Sequence, residues 1–138
     1  MSTKKKLQAH ERLLTGVELE LMNIIWSLDE VTIKEVVSHL PQQRKLAYTT
    51  VATVLKVLEQ KGFLECQKNS YVHIFVPKIT KWNYESACID HMVANVFDGE
   101  PVALVQRLLM AKNLQSDDIQ AIEEALKKLN PLQTKVEG

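Results

Sequence analysis

The stretch AYTTVATVLKVLEQKGFL, residues 47–64, has the pattern of a helix with two unlike faces. One face is an apolar stripe at the helical period, formed by Val51, Val54, Leu55 and Leu58. The other face is short, polar and free of carboxylates, and it carries Thr49, Ala52, Thr53, Lys56 and Gln60. Small side chains, hydroxyls, amides and a cation are what a helix needs to approach base edges and phosphates in the major groove of DNA. Lys61-Gly62 then indicates the end of the helix.

Composition places the chain among globular proteins. Its 138 residues, 46% hydrophobic and 25% charged, suffice for one ordinary domain or for two small units that share a core. No apolar run reaches the length of a membrane span, and the start, Met1–Lys6, is not followed by the apolar segment of a secretory signal. Cys66 and Cys88 form no Cys-x-x-Cys motif, so we expect a reduced, cytoplasmic protein with no membrane partner.

The net charge is zero, but its distribution is uneven. Residues 1–78 contain 11 Lys/Arg and 8 Asp/Glu, whereas residues 79–138 contain 6 and 9. A weakly basic first part and an acidic second part fit a DNA-contacting module joined to an interaction module. Residues 1–13 are predicted to be a flexible basic arm, in which Lys4-Lys5-Lys6 is either a phosphate contact or a solvated tail.

Two capping boxes precede the helix in 47–61. Thr15-Gly16-Val17-Glu18 predicts a helix that runs to about Leu28, since a hydroxyl at the N-cap and a carboxylate three residues later satisfy the first free N–H groups. Thr32-Ile33-Lys34-Glu35 predicts a second, short helix over 32–40, which Pro41 ends.

A hairpin follows the third helix. Two β-rich runs over 64–76 flank Asn69-Ser70, which predicts a two-residue turn with Cys66 opposite His73. Three helices and a hairpin follow the order of a winged helix-turn-helix domain, so the fold class is mainly α with residues 14–78 forming that domain. Cys66 and His73 alone do not make a metal site, and a buried thiol beside a strand histidine is the interpretation adopted; no metal or cofactor is expected.

The polar helix face, the segment before it and the wing tip supply the candidate contacts to double-stranded DNA. They are Arg44, Lys45, Tyr48, Thr49, Thr50, Thr53, Lys56, Lys68 and Asn69. The threonines suit base edges and thymine methyl groups, and the cations suit phosphates. Tyr48 either contacts the DNA backbone or holds its end of the helix on the core, and the sequence favours neither.

Three further helices are predicted over residues 79–130, the first running to about Phe97 and the last ending before Pro131, with a disordered tail over 131–138. Their apolar surface exceeds what about 60 residues bury alone, which predicts a symmetric homodimer that binds an inverted repeat. The alternative is a monomer whose helices fold back on the winged helix. The candidate interface residues are Ile89, Val93, Phe97, Leu104, Leu108, Leu109, Ile119, Ile122 and Leu126.

Over residues 15 to about 129 the chain resembles the penicillinase-repressor (BlaI/MecI/CopY) family of bacterial transcriptional regulators. The resemblance rests on TGVELELMNIIW (residues 15–26), on residues 47–64 with the threonine pair Thr50 and Thr53, and on Phe75-Val76-Pro77. It implies a dimeric winged-helix repressor on a palindromic operator. It also places the DNA-contacting positions of the family on Thr49, Thr50, Thr53 and Lys56.

The chain departs from the family pattern at three places. Family members often carry basic residues where this chain has Thr49 and Ala52. The antibiotic-sensing branch is cleaved at an Asn-Phe bond, which is absent from the corresponding stretch, residues 104–109, and the cysteine-rich tail of the copper-sensing branch is absent from 131–138. The inducing signal or sensor is therefore left open.

Two other function classes compete with DNA binding. A winged helix without strong net charge also fits a protein-interaction module that binds no DNA. An enzyme is not expected, because the sequence has no Gly-rich phosphate loop, no Gly-x-Ser-x-Gly and no His-Glu-x-x-His.

Overall fold

The first part of the fold has three helices and a hairpin, and three more helices follow. The computed structural model describes residues 13–68, 71–111 and 113–137, and side chains within these ranges as far as Leu129. The described elements are α1 (Gly16–Leu28), α2 (Ile33–Ser38), α3 (Tyr48–Gln60), β1 (Leu64–Lys68), β2 (His73–Pro77), α4 (Lys81–Asn95), α5 (Pro101–Ala111) and α6 (Ser116–Glu137). Most of the predicted arm, including Lys4-Lys5-Lys6, lies outside the described residues, as does Asn69.

Both predicted capping boxes form. The hydroxyl of Thr15 accepts the N–H of Glu18 at 3.3 Å, while the Glu18 carboxylate accepts the N–H of Thr15 at 2.9 Å. Thr32 and Glu35 make the same reciprocal pair at the start of α2, at 3.2 and 2.9 Å. Thr80 caps α4 by accepting the N–H of Asn83 at 3.0 Å. These helix starts are therefore set by local hydrogen bonds that the sequence specifies.

The end of α3 is a Schellman motif. Gly62 has a φ of 90°, a conformation in which a side chain is strained. This turn lets the N–H of Phe63 donate to the carbonyl of Leu58 at 2.9 Å and the N–H of Gly62 donate to that of Glu59 at 3.1 Å. Phe63 and Leu58 are both fully buried, as the hydrophobic contact of this motif requires. The chain thereby leaves α3 in the direction of β1.

One hydrophobic core lies among α1, α2, α3, the hairpin and the first turn of α4. Its buried apolar residues are Leu21, Met22, Ile25, Val31, Val36, Val51, Leu55, Leu58, Phe63, Leu64, Phe75, Ile79 and Tyr84. All lie between residues 21 and 84, so the segment from α1 to the root of α4 closes a core from its own residues. We refer to residues 14–78 as the winged-helix unit.

The hairpin register differs from the predicted one. Cys66 pairs with Phe75, and Lys68 pairs with His73, so the connection spans residues 69–72. The predicted two-residue turn, with Cys66 opposite His73, is wrong. A shift of two residues leaves every side chain on the same face, so the alternation of apolar residues does not distinguish the two registers. Val31 adds a further partner to β2 by exchanging two backbone hydrogen bonds with Phe75, at 3.0 and 2.7 Å.

Two predicted helix ends also change. Helix α4 ends at Asn95 rather than near Phe97, and the following turn contains Asp98 and Gly99 at φ values of 54° and 79°. Helix α6 continues through Pro131 to Glu137, so the predicted end before Pro131 is wrong. A proline inside a helix removes one hydrogen bond and bends the helix but does not require it to end. The backbone of 131–137 is therefore helical rather than disordered.

Candidate nucleic-acid interface

The two faces of α3 are as the sequence predicted. Val51, Leu55 and Leu58 are fully buried against the core. On the opposite side, Thr49, Thr53, Lys56 and Gln60 are exposed, and Ala52 is half-buried. Glu59 is the one carboxylate in the α3 sequence, and it lies near Cys66 of β1, where its charge adds to the effect of burial in raising the pKa of the Cys66 thiol. Glu59 is exposed and follows Ala52 by seven residues, so it borders the threonine and lysine face, whose other residues are neutral or basic.

The threonine hydroxyls on this face differ in their bonding. The hydroxyl of Thr53 donates to the backbone carbonyl of Thr49 at 2.9 Å, one helical turn earlier. Its proton is used within the helix, which leaves its methyl group and its acceptor lone pairs facing outwards. The side chains of Thr49 and Thr50 are exposed and form no hydrogen bond with any residue the structure describes. Both have a donor and acceptors available for a base edge.

The start of α3 lacks the cap that α1, α2 and α4 have. Its N-cap residue is Ala47, which has no side-chain acceptor, and the first turn contains no acidic residue. The first N–H groups of the helix therefore receive no hydrogen bond from a capping side chain. Together with the partial positive charge of a helix N-terminus, this gives the exposed end of α3 a preference for an anion.

The predicted cations fall into two groups. Lys45, Lys56 and Lys68 are exposed and form no ion pair with a described residue. Arg44 instead donates its Nε–H to both carboxylate oxygens of Glu20 in α1, at 3.0 and 3.1 Å. The sequence did not indicate this pair, because 24 residues separate the partners. Both side chains are partly exposed, so this ion pair contributes little to stability. Another anion can therefore replace Glu20 as the partner of Arg44.

A groove beside α3 adds two residues that the sequence pattern did not indicate. Tyr48 is 54% exposed and lines this open groove of about 480 Å³. Lys34 of α2 and Tyr71 and His73 of the hairpin line it as well. The groove therefore joins the start of α3, at Tyr48, to the hairpin connection, at Tyr71. The side chain of Tyr71 is 98% exposed. Lys34 and Tyr71 extend the candidate surface, and the exposure of Tyr48 argues against its packing on the core.

Cys66 of β1 is half-buried and packs against the core. Burial and the nearby charge of Glu59 raise the pKa of its thiol, with Lys68 acting in the opposite direction. Among the described residues, no group of three or more His, Cys, Asp or Glu side chains is arranged to hold a metal ion.

The candidate dimer residues lie on helices that bury little of their own surface. Helix α5 has no buried residue, and Ile89, Leu109 and Leu126 are about half exposed. The other candidates, which are also exposed or half-buried, are Val93, Phe97, Leu104, Leu108, Ile119 and Ile122. This arrangement differs from the alternative in which the helices fold back and bury these residues on the winged-helix unit.

Further exposed apolar residues lie on α4 and at its C-cap. Trp82 is 75% exposed, Met92 is 44% exposed, and Val96, the C-cap residue, is 65% exposed. Trp82 and Val96 lie seven residues before and after Ile89, a spacing that places these three on one side of the helix. The exposed apolar stripe of α4 therefore begins at its first turn.

Comparison with known proteins identifies the group to which the chain belongs. The sequence profile of the family described as penicillinase repressor matches residues 14–128. The chain belongs to the penicillinase-repressor family. The match includes α4, α5 and most of α6 as well as the winged-helix unit, so the resemblance that the sequence motifs indicated is confirmed over both parts.

Individual relatives are distant but cover most of the chain. The methicillin resistance regulatory protein MecI of Mammaliicoccus sciuri is 22% identical over 115 residues, which is 83% of this chain and 94% of MecI. The penicillinase repressor of Bacillus licheniformis is 24% identical over 113 residues, 82% of this chain and 88% of that protein. The solution structure of the DNA-binding domain of the repressor BlaI covers 57% of this chain and 94% of that domain, at 26% identity and a TM-score of 0.48.

No described helix combines the length and the apolar character that crossing a membrane requires.

Proposed function

We propose that this penicillinase-repressor family member is a dimeric transcriptional repressor that binds a palindromic DNA operator and acts by covering a promoter. The exposed face of α3, with its threonines and Lys56, would enter the major groove, and the wing would contact the backbone. Such a protein would work in the cytoplasm, where bacterial DNA is found. The observation that carries the proposal is the exposure of this face on a helix whose other side packs on the core through the fully buried Val51, Leu55 and Leu58.

The surroundings of α3 support the same function. Lys45, Lys56 and Lys68 are without ion-pair partners among the described residues, and the start of α3 has no side-chain cap. Phosphate groups of DNA would pair with these lysines and would accept hydrogen bonds from the free N–H groups at the start of α3. On the C-terminal helices, a second copy would cover the exposed apolar residues and place two α3 helices about a two-fold axis.

The test compares two lysine variants on a duplex from the DNA upstream of the gene, measured by fluorescence anisotropy over a range of salt concentrations. Lys56→Ala should weaken binding to all duplexes and reduce the magnitude of the log–log salt slope by about 0.9, the value for one lost phosphate contact. Lys127→Ala removes the same charge from an exposed position on α6 and should leave the slope unchanged. Equal affinity and slope for Lys56→Ala and the wild type would contradict the role of Lys56.

A second variant separates base reading from phosphate contact. Thr53→Val keeps the outward methyl group but removes the hydroxyl and its lone pairs. It should reduce discrimination between the preferred duplex and a single-base variant by about 1–3 kcal/mol if the hydroxyl contacts a base, with little change in the salt slope. A wild-type protein that binds no duplex at any salt concentration would instead favour a protein-interaction module.

A further inference from the structure

The root of α4 is held by a cluster of side chains from the winged-helix unit. Tyr84 is 6% exposed and is the one α4 residue that is buried. Its ring contacts two other aromatic rings, with centroid distances of 5.7 Å to Trp26 of α1 and 5.9 Å to Phe63 before β1. The first turn of α4 is therefore packed against α1 and against the segment that joins α3 to β1.

Two hydrogen bonds also hold the first turn of α4 and the segment before it. The backbone N–H of Leu14 donates to the hydroxyl of Tyr84 at 2.9 Å. The indole N–H of Trp26 donates to the carbonyl of Ile79 at 2.8 Å, in the segment that joins β2 to α4. Ile79 is itself 1% exposed. The connection into α4 is thus bonded on both sides of Thr80, which caps the helix.

An ion pair links this cluster to the end of α3. Glu18, which caps α1, accepts two hydrogen bonds from Lys61 at the end of α3, at 2.8 and 3.0 Å. Burial, a hydrogen bond with Cys88 and the charge of Glu18 raise the pKa of Tyr84 to about 12, although the N–H of Leu14 acts against the shift. The Tyr84 hydroxyl therefore stays protonated at neutral pH, with α1, α3 and α4 meeting around it.

The geometry points to Tyr84 as a positioning residue for operator recognition, which holds α4 at one angle to the winged-helix unit. The inference rests on the proposed function, because the angle acts through a dimer formed by the C-terminal helices. Helix α4 has 15 residues and is about 22 Å long. A tilt of about 10° at its root displaces its far end by about 4 Å, slightly more than the 3.4 Å rise of a base pair. The contacts of Tyr84 thereby set the separation of the two half-sites that a dimer reads.

The experiment uses a palindromic duplex that the wild-type full chain selects from a random pool. Affinity is measured for this duplex, for one half-site alone, and for versions with one or two base pairs inserted at the centre. Tyr84→Phe removes the hydroxyl that Leu14 binds but keeps the ring contacts, and Trp26→Phe removes the bond to Ile79. Both variants should bind the half-site and dimerise without DNA as the wild type does.

On the palindromes the two variants should differ from the wild type. We expect a loss of about threefold or more on the selected duplex and a smaller penalty for each inserted base pair, because the angle of α4 is less restricted. Unchanged spacing preference in Tyr84→Phe, or equal losses on the half-site and the palindrome, would overturn the inference while leaving the proposed function intact. Failure of the wild type to select any duplex would overturn the proposed function and this inference together.

Discussion

The winged-helix unit and the C-terminal helices use the same residue types in opposite ways. In the winged-helix unit, Leu55 and Leu58 are fully buried. In the C-terminal helices, Leu108, Leu109 and Leu126 are between 45% and 53% exposed. The first region completes a core within one chain, whereas the second has apolar faces that one chain leaves in contact with water. The difference shows that a helical apolar stripe predicts a contact but does not specify whether its partner is in the same chain.

The prediction with the largest expected effect compares one substitution in each region. Leu55→Ala should lower the free energy of unfolding by about 2–5 kcal/mol at every protein concentration, since it leaves a cavity in a closed core. Leu126→Ala should change the stability of the monomer by less than about 0.5 kcal/mol, but it should weaken dimerisation. Urea unfolding at several protein concentrations, with sedimentation equilibrium, measures both effects.

The comparison would be contradicted if Leu126→Ala lowered the free energy of unfolding as much as Leu55→Ala does, independently of protein concentration. It would mean that α6 is packed within one chain.

Two glycines with positive φ, one in each region, test through the backbone whether the two regions unfold separately. Gly62 ends α3, and Gly99 lies between α4 and α5, with φ values of 90° and 79°. Alanine at either position is strained by about 1–2 kcal/mol. We expect Gly62→Ala to speed hydrogen exchange of the α3 amides, because it destabilises the winged-helix unit. A Cβ at position 99 has no atom within 4 Å, so Gly99→Ala should leave α3 unchanged and affect α4 and α5 alone.

The control is Gly16→Ala, at the start of α1, where a Cβ also meets no atom within 4 Å and no positive φ is present. It should be neutral or slightly stabilising. Faster exchange in α3 for Gly99→Ala would show that the two regions unfold as one.

The smallest effect concerns the one helix start in the winged-helix unit that has no side-chain cap. Ala47→Asp should raise the free energy of unfolding by about 1 kcal/mol by capping α3. It should also weaken DNA binding by about threefold or more, since it places a carboxylate where a phosphate would lie. Ala47→Ser supplies a cap without the charge and should stabilise with a smaller loss of binding. Stability and affinity that both rise in Ala47→Asp would argue against an anion at this end of α3.

Local hydrogen bonds and periodicity account for what could be predicted from the sequence. The capping boxes at Thr15 and Thr32 located α1 and α2, and the apolar stripe of 51–58 located the buried face of α3. These signals depend on residues three or four apart, which any single sequence displays. The order of three helices and a hairpin followed from them, and with it the winged-helix fold.

Long-range pairings were not predictable in the same way. The register of the hairpin differs by two residues from the predicted one, a shift that the alternation of side chains cannot detect. The pair of Arg44 with Glu20 and the bond of Leu14 to Tyr84 join residues 24 and 70 positions apart, for which sequence spacing has no signal. The groove with Tyr71 was missed for the same reason. The assignments of DNA and dimer contacts to individual residues stay predictions.

The most direct test of the division between the two regions is native mass spectrometry of the full chain with two duplexes, a selected palindrome and one of its half-sites. Two copies of the chain should bind each palindrome, and a dimer should bind two half-site duplexes, one on each subunit, with Lys56→Ala weakening both complexes. Leu126→Ala should weaken the complex with the palindrome and convert the half-site complex to one copy of the chain on one duplex. A single copy on the palindrome at saturating protein, or no complex with either duplex, would contradict the account.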